Sequence, residues 1–446
     1  MHSHPLSAAV AILATPLCAI AADTQPYPGD YLVASRTTGA IYAVDPATGL
    51  FRGLVSGREL RDLSGTIRGD GQRIGNAFSL SIVTAPGGDI LARYARPSGW
   101  GIVSVDHLTG DRAVLPGTDS PAWEDSGELF LLDDHTVVSA ADDYENDLAG
   151  DGLLLAYDLA SGVTSIVSGG GVGDGPQLLR PRAVARLDEG TLLVAESMLA
   201  FPPEIGAGLY AVSLASGDRA LVSRLSPFPF TRPLVIDGNV AGQVLLGDDE
   251  GGAGPVLNVT ARSIAVRDGT IYAGIAIDRG VFDGGVLAID PATGDRTLVV
   301  GRAMRDDGTN SGVVEQIPPN MQDIFLDQPI GLTITPAERL AFTCLWGPSV
   351  IYELEIPTGN LYEIADIAAQ VHPDFVGVLE LHGLTMYEGT GCPADFNADQ
   401  AIDTRDLLLF LNLWTSRNPR ADINADGRIN SLDVIAFLNL WNAGCG

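Results

Sequence analysis

Two kinds of hairpin alternate through most of this chain. Together they predict an all-β six-bladed β-propeller closed across the termini, followed by a small all-α C-terminal module. Three observations carry that prediction: a segment of about 17 residues that recurs six times, a second hairpin ahead of most copies, and two matching blocks at the end. The recurring segment begins at Gly39, Gly101, Gly152, Gly208, Gly285 and Val350. Each copy is an alternating run, a turn of the form D-x-x-T/S-G or a close variant, and a second apolar run. Period-two alternation reads as half-buried strands, and the turn glycine supplies the positive φ of a tight hairpin.

The preceding hairpins read FSLSIVTAPGGDILARYA, ELFLLDDHTVVSA, RAVARLDEGTLLVAE, RSIAVRDGTIYAGIA and IGLTITPAERLAFTC. Two hairpins make four antiparallel strands, the unit of a propeller blade, and five complete blades occupy about residues 76–366. The sixth is split. Residues 30–35 and the Gly39 copy supply three strands, and Gly383–Tyr387 supplies the missing first strand. Such a closure leaves no open edge. This blade pattern, over residues 28–389, resembles bacterial six-bladed propellers of the NHL-like and gluconolactonase-like group.

Composition agrees. Of 446 residues 46% are apolar and 53 are glycine, enough core for a large domain and enough turn formers for many short strands. The net charge is -30, from 56 acids and 26 bases, all of the bases arginine. Such a surface repels phosphate backbones and anionic lipid, which argues against nucleic-acid and membrane-surface roles, and it suits divalent cations. Residues 1–21 read as a secretory signal peptide, with an apolar stretch Leu6–Ile20 and a small-residue cleavage site, Ala19-Ile20-Ala21. No later run is long enough to span a bilayer. A secreted or cell-surface protein is expected, with the propeller at 22–389 and the C-terminal module at 390–446.

In that module residues 395–414 and 422–441 match at an offset of 27 and share an FLNLW ending. Oxygen-bearing side chains fall at loop positions 1, 3, 5, 9 and 12: Asp395, Asn397, Asp399, Asp403 and Asp406, then Asp422, Asn424, Asp426, Asn430 and Asp433. The seventh positions, Ala401 and Arg428, add backbone carbonyls. Alternate side chains thus converge on one point with enough oxygens for Ca²⁺, and two sites are expected. Gln400 stands at position 6 of the first loop where the second has Gly427. The sharp turn there costs a side chain about 1 kcal/mol or more, so the first site is expected to be weaker.

Two such loops, each followed by one helix and with Asp at position 12, resemble a type I dockerin. The resemblance implies calcium binding and attachment through a cohesin-like protein or surface scaffold. The flanking Gly391-Cys392-Pro393 and Gly444-Cys445 look like the tails of exported planctomycete proteins, and they imply a Cys392–Cys445 disulfide, which an exported chain permits. Positions 10 and 11 read Thr404-Arg405 and Ser431-Leu432, so the two helix faces differ. Leu407, Phe410, Leu411, Trp414 and their counterparts Val434, Phe437, Leu438, Trp441 recur at helical spacing and are expected to pack the helices together.

No G-x-S-x-G, H-E-x-x-H or P-loop is present, and glycine-rich Gly169–Gly175 reads as a connecting loop. Histidines 107, 135, 372 and 382 show no ligand spacing, and Cys344 reads as a buried thiol. Two acidic stretches, Asp142–Asp147 with Asp151 and Asp248–Glu250, read as solvated loops. Propellers bind ligands at the channel mouth, where Asn76, Glu124 with Asp125, Arg182, Arg262, Gln328 and His382 enter the first strands. Arg182 and Arg262 occupy matching positions, and two guanidinium forks there suit a carbohydrate or a small acidic ligand. A non-enzymatic binding protein is the expectation, with a carbohydrate or lactone hydrolase or lyase as the alternative.

Overall fold

The structure, a computed structural model, describes residues 26–61, 67–71, 81–96, 99–120, 123, 127–141, 152–197, 207–225, 230–237, 239–246, 251–255, 260–276, 284–304, 313–321, 326, 329–344, 349–367, 370, 380–389, 394–397, 401–418, 421–424 and 428–444. The signal-peptide reading, both acidic stretches and Cys392 and Cys445 lie outside them.

Six four-stranded antiparallel blades form the main body. The first comprises Ile82–Thr84, Ile90–Arg96, Gly99–Val105 and Arg112–Val114. The second runs from Leu129–Asp133 to Val163–Ser168, the third from Pro181–Asp188 to Arg219–Arg224. The fourth runs from Thr260–Arg267 to Arg296–Met304, the fifth from Pro329–Ile334 to Asn360–Asp366. In the sixth, the inner strand Leu381–Met386 pairs with Tyr31–Ser35, followed by Ala40–Val44 and Phe51–Arg61. The split-blade closure read from the sequence is therefore the observed one.

Short outermost strands, Ile67–Arg68 and Val313–Gln316, extend the sixth and fourth blades. One element was not foreseen. Phe230–Ile236 and Asn239–Leu246, in the long interval between the Gly208 and Gly285 copies, form a separate three-stranded sheet with Gly175–Pro176 of the loop that leaves the second blade.

Burial differs from the half-buried expectation. Tyr31–Ser35 and Ala40–Val44 are buried at every residue. Each blade has neighbours on both faces, so alternate side chains enter different seams. Tyr31 and Val33 pack with Ala341 and Ile351 of the fifth blade, while Leu32 and Ala34 pack with Ile82 and Ile90 of the first. Among the described residues, six apolar clusters fill the six seams and a seventh lies in the helical module.

The turn signature holds in all six copies. The glycine N–H donates to the carbonyl four residues earlier, as Gly294 to Asp290 at 2.7 Å, and each glycine has φ between 67° and 79°. In three copies the turn continues as Gly-Asp-Arg, and the arginine enters the loop leaving the preceding blade. Arg219 donates to Ser168 Oγ at 2.8 Å and to the carbonyls of Val172, Gly173 and Pro176 at 2.9, 3.1 and 2.7 Å. Arg296 repeats this with Ser223 Oγ and the carbonyls of Gly251, Gly254 and Pro255. Arg112 reaches Ser56 Oγ and the Gly69 carbonyl. Glycine-rich 169–175 is a connecting loop whose carbonyls receive Arg219.

The C-terminal module contains helices α1 (Thr404–Thr415) and α2 (Ser431–Ala443). Neither is long and apolar enough to cross a membrane. Cys344 is buried, as expected.

Candidate functional site

Both helices begin in the same way. Asp403 and Asn430 cap them by accepting from the N–H two residues on, and Asp406 and Asp433 answer with a capping box. Those two acids are fully buried. Asp406 accepts from Asn397 N at 3.0 Å and Asp403 N at 2.8 Å, and Asp433 accepts from Asn424 N at 3.4 Å and Asn430 N at 2.7 Å. In each loop the twelfth position therefore ties together the third and the ninth, which brings the oxygen-bearing side chains to the start of a helix. There the macrodipole also favours negative charge. Asp395 is buried, Asn397 and Asp422 are half-buried, and Asn424, Ala401 and Arg428 are exposed. Asp399, Gln400 and Asp426 lie outside the described residues. An all-oxygen donor set of carboxylates, amides and carbonyls fits a hard divalent cation.

The loops differ in one contact. Arg405 pairs with Asp403 Oδ2 at 2.7 Å and holds that carboxyl below the usual range, chiefly through the side-chain hydrogen bond. In the second loop Asn430 and Leu432 stand at these positions, and no such pair exists.

Between the helices the Phe410 and Phe437 rings stack 4.3 Å apart and 5° from parallel, with Phe396 edge-on to both. Trp414 is half-buried and donates from Nε1 to the Asn430 carbonyl at 2.8 Å, which links the first helix to the second loop. Trp441 packs on Phe437. Leu438 departs from the packing expectation: it is exposed and lies outside the cluster. With Leu432 and Ile435 it forms an exposed apolar row on α2, at a spacing of three residues. The corresponding α1 positions are Arg405, Leu408 and Leu411.

The propeller encloses a central cavity of about 440 Å³, lined by the inner strands of all six blades. His382 lines it; Arg182 and Arg262 do not. The pairing skips Arg182 between Pro181 and Ala183, Arg262 between Ala261 and Ser263, and His382 between Leu381 and Gly383, so each is the extra residue of a β-bulge. A bulge breaks the alternation that would decide which side chains face the lumen. Arg186 lines the cavity instead. Asn76, Glu124, Asp125 and Gln328 lie outside the described residues.

Besides Arg186, sequence reasoning missed the channel residue Glu128. The positions just before the inner apolar residues hold Ser81, Ala183, Ser263, Gly331 and Gly383, all small, and Glu128 in the second blade. Its carboxyl reaches Ser263 and Ile264 N of the fourth blade. Enclosed by protein yet still open to the lumen, it is pushed up to about 8 by burial, against the two hydrogen bonds. The imidazole of His382 is held down to about 3 by burial first and then by Arg262 and Arg36. Both groups are uncharged near neutrality. The odd residue in a ring of small ones was the available signal for Glu128.

Residues 393–439 match the dockerin type I domain family. No curated protein sequence matches the chain. Among solved structures, TolB from Acinetobacter baumannii is 10% identical, over 80% of this chain and 66% of that one, with a TM-score of 0.44. A protein of unknown function from Bacteroides caccae is 11% identical over 80% and 98%, at 0.41. The Dos1 propeller is 9% identical over 77% and 85%, at 0.39. None of these likenesses bears on activity. The C-terminal module of this six-bladed propeller protein is thus a dockerin type I domain over residues 393–439, a kind of domain that binds calcium and pairs with cohesin-type partners.

Proposed function

We propose that the chain is exported and held on a scaffold or cell surface by its dockerin, presenting the propeller as a non-enzymatic binding module. The carrying observation is the pair of equivalent loops closed by Asp406 and Asp433 ahead of α1 and α2. Calcium, when bound, would be held by the acids, amides and carbonyls named above and would neutralise their clustered charge. Ordering of the loops then fixes the helix pair, so metal binding is linked to folding of the partner surface. Two sites are proposed, the first weakened by Gln400 and by the Arg405–Asp403 pair. The partner face is assigned to α2, whose row Leu432, Ile435 and Leu438 is apolar and exposed.

The test is surface-plasmon binding of the full chain to a panel of immobilised cohesin domains, in calcium and in chelator. Calcium-dependent binding is expected, lost with Asp433→Ala and Ile435→Asp, and reduced less by Asp395→Ala. Binding to no cohesin, or binding indifferent to chelator and to Asp433→Ala, would defeat the anchoring mechanism.

One observation favours a second reading, a hydrolase or lyase for carbohydrate or lactone. Glu128 and His382, an uncharged acid and an uncharged imidazole, face the same cavity. Turnover in a carbohydrate and lactone screen, abolished by Glu128→Gln in a folded protein, would select it over binding alone.

A further inference from the structure

We propose a third metal site, for a divalent transition metal of the Zn²⁺ type, at the seam where the sixth blade closes onto the first. Asp89 lies in the first turn of the first blade, and Asp106 and His107 lie in its D-x-x-T-G turn. One ligand atom from each lies within 4.8 Å of the others. His107 stands where two other copies of that turn carry Pro46 and Pro291, so nothing in the repeat itself calls for an imidazole. Asp106 Oδ1 caps its own turn through the N–H groups of Leu108 and Thr109. Asp89 Oδ2 accepts from Ser104 Oγ at 3.1 Å, and His107 Nδ1 stands 3.7 Å from Asp89 Oδ1. Each carboxylate thus keeps one oxygen clear of these hydrogen bonds.

The independent observation is Tyr387. Its side chain is fully buried, and among the described residues its hydroxyl has no hydrogen-bond partner. An orphaned buried hydroxyl is costly, and a native fold retains one when something else meets it. It faces this cluster: a Cβ placed on Gly88 would stand 2.6 Å from Tyr387 Oη and 3.1 Å from His107 Nδ1. The two rings are 5.8 Å apart. The gap beside Gly88, too narrow for a side chain, is therefore bordered by a phenol oxygen and an imidazole nitrogen, with Asp89 as the next residue.

One nitrogen and three oxygens suit a borderline cation better than Ca²⁺, because imidazole is a poor ligand for a hard ion. The half-exposed Asp89 and Asp106 can rotate inward to the roughly 2.0–2.2 Å that Zn²⁺ requires. Tyr387 directly follows the closing strand, and its main chain bonds to Gly29 and Asp30. Metal here would tie two turns of the first blade to the strand that closes the ring.

The experiment is Zn²⁺ titration calorimetry on the full chain in excess Ca²⁺, which saturates the dockerin loops, with melting temperature measured in parallel. One Zn²⁺ per chain and a raised melting temperature are expected. Asp89→Asn and His107→Ala should abolish binding, Tyr387→Phe should weaken it about tenfold or more, and Asp433→Ala should leave it intact. Absence of Zn²⁺ binding, or binding unchanged in Asp89→Asn and His107→Ala, would overturn the site. If His107→Ala fails to fold, the half-exposed Asp89→Asn decides alone. Since Asp433→Ala separates this site from the dockerin, either proposal can fail without the other.

Discussion

At Glu128 and His382 the same enclosure acts on two groups of opposite character, and the signs of the consequences differ. The folded protein keeps a proton on Glu128 up to about pH 8, whereas an unfolded carboxyl releases it near 4.5. That contribution to stability is complete below pH 4.5 and is lost as pH rises toward 8. His382 stays neutral down to about pH 3 against an ordinary 6.5, so its contribution is present above pH 6.5 and is lost as pH falls toward 3. Melting curves of Glu128→Gln against wild type are therefore expected to diverge in favour of the variant between pH 5 and 8. A constant offset across that range would contradict the burial assigned to Glu128. For His382→Gln the divergence is expected on the acid side, below pH 6.5. Neither group was readable as special from its neighbours alone. His382 was singled out as a strand-entry residue, and Glu128 was passed over because the inner strand starts at Leu129, later than the alternation suggested.

Among elements, the Gly-Asp-Arg turns bear the clearest load between blades. The hairpin itself was legible, since the turn glycine and the flanking alternation are local signals. The arginine's destination was not, because the carbonyls that receive it belong to a loop more than 40 residues earlier. Removing a buried guanidinium strands several acceptors together. Arg219→Met and Arg296→Met should each cost about 3 kcal/mol in chemical denaturation. Arg219→Lys should recover little of that, because an ammonium cannot present a planar fork to separate carbonyls. Full stability in Arg219→Lys would show that charge alone matters. The helices of the dockerin make the same distinction. Spacing in the sequence identified Phe410, Phe437 and Trp414 as packing residues, yet it also assigned Leu438 to the interior, because a helical apolar stripe wider than its partner surface leaves one edge uncovered.

For the whole molecule, closure is the property that matters most. Tyr31–Ser35 lies between the closing strand and Ala40–Val44, and its two faces fill two different seams. A chain ending at residue 379 lacks Leu381–Met386, exposes that edge and opens both seams. It should lose cooperative thermal unfolding and aggregate on gel filtration, while a chain ending at residue 389 stays monodisperse. Equal melting behaviour of the two truncations would mean that the ring does not depend on its closing strand.

Strand alternation, turn chemistry, blade number and the duplicated metal loops all rest on neighbours a few residues apart, and they could be read without coordinates. The placement of the closing strand also followed, because a propeller with an incomplete blade has one missing strand and the chain offered one unused run. Contacts between distant residues were decided only by the packed ring. Bulges at Arg182, Arg262 and His382 set which side chains line the channel, the seams buried faces that looked half-exposed, and ring closure carried Tyr387 to Asp89 and His107. The physical reason is the same in each case. A strand's own pattern states that a face is apolar, but what that face meets depends on the neighbouring sheet, whose register a single bulge can shift.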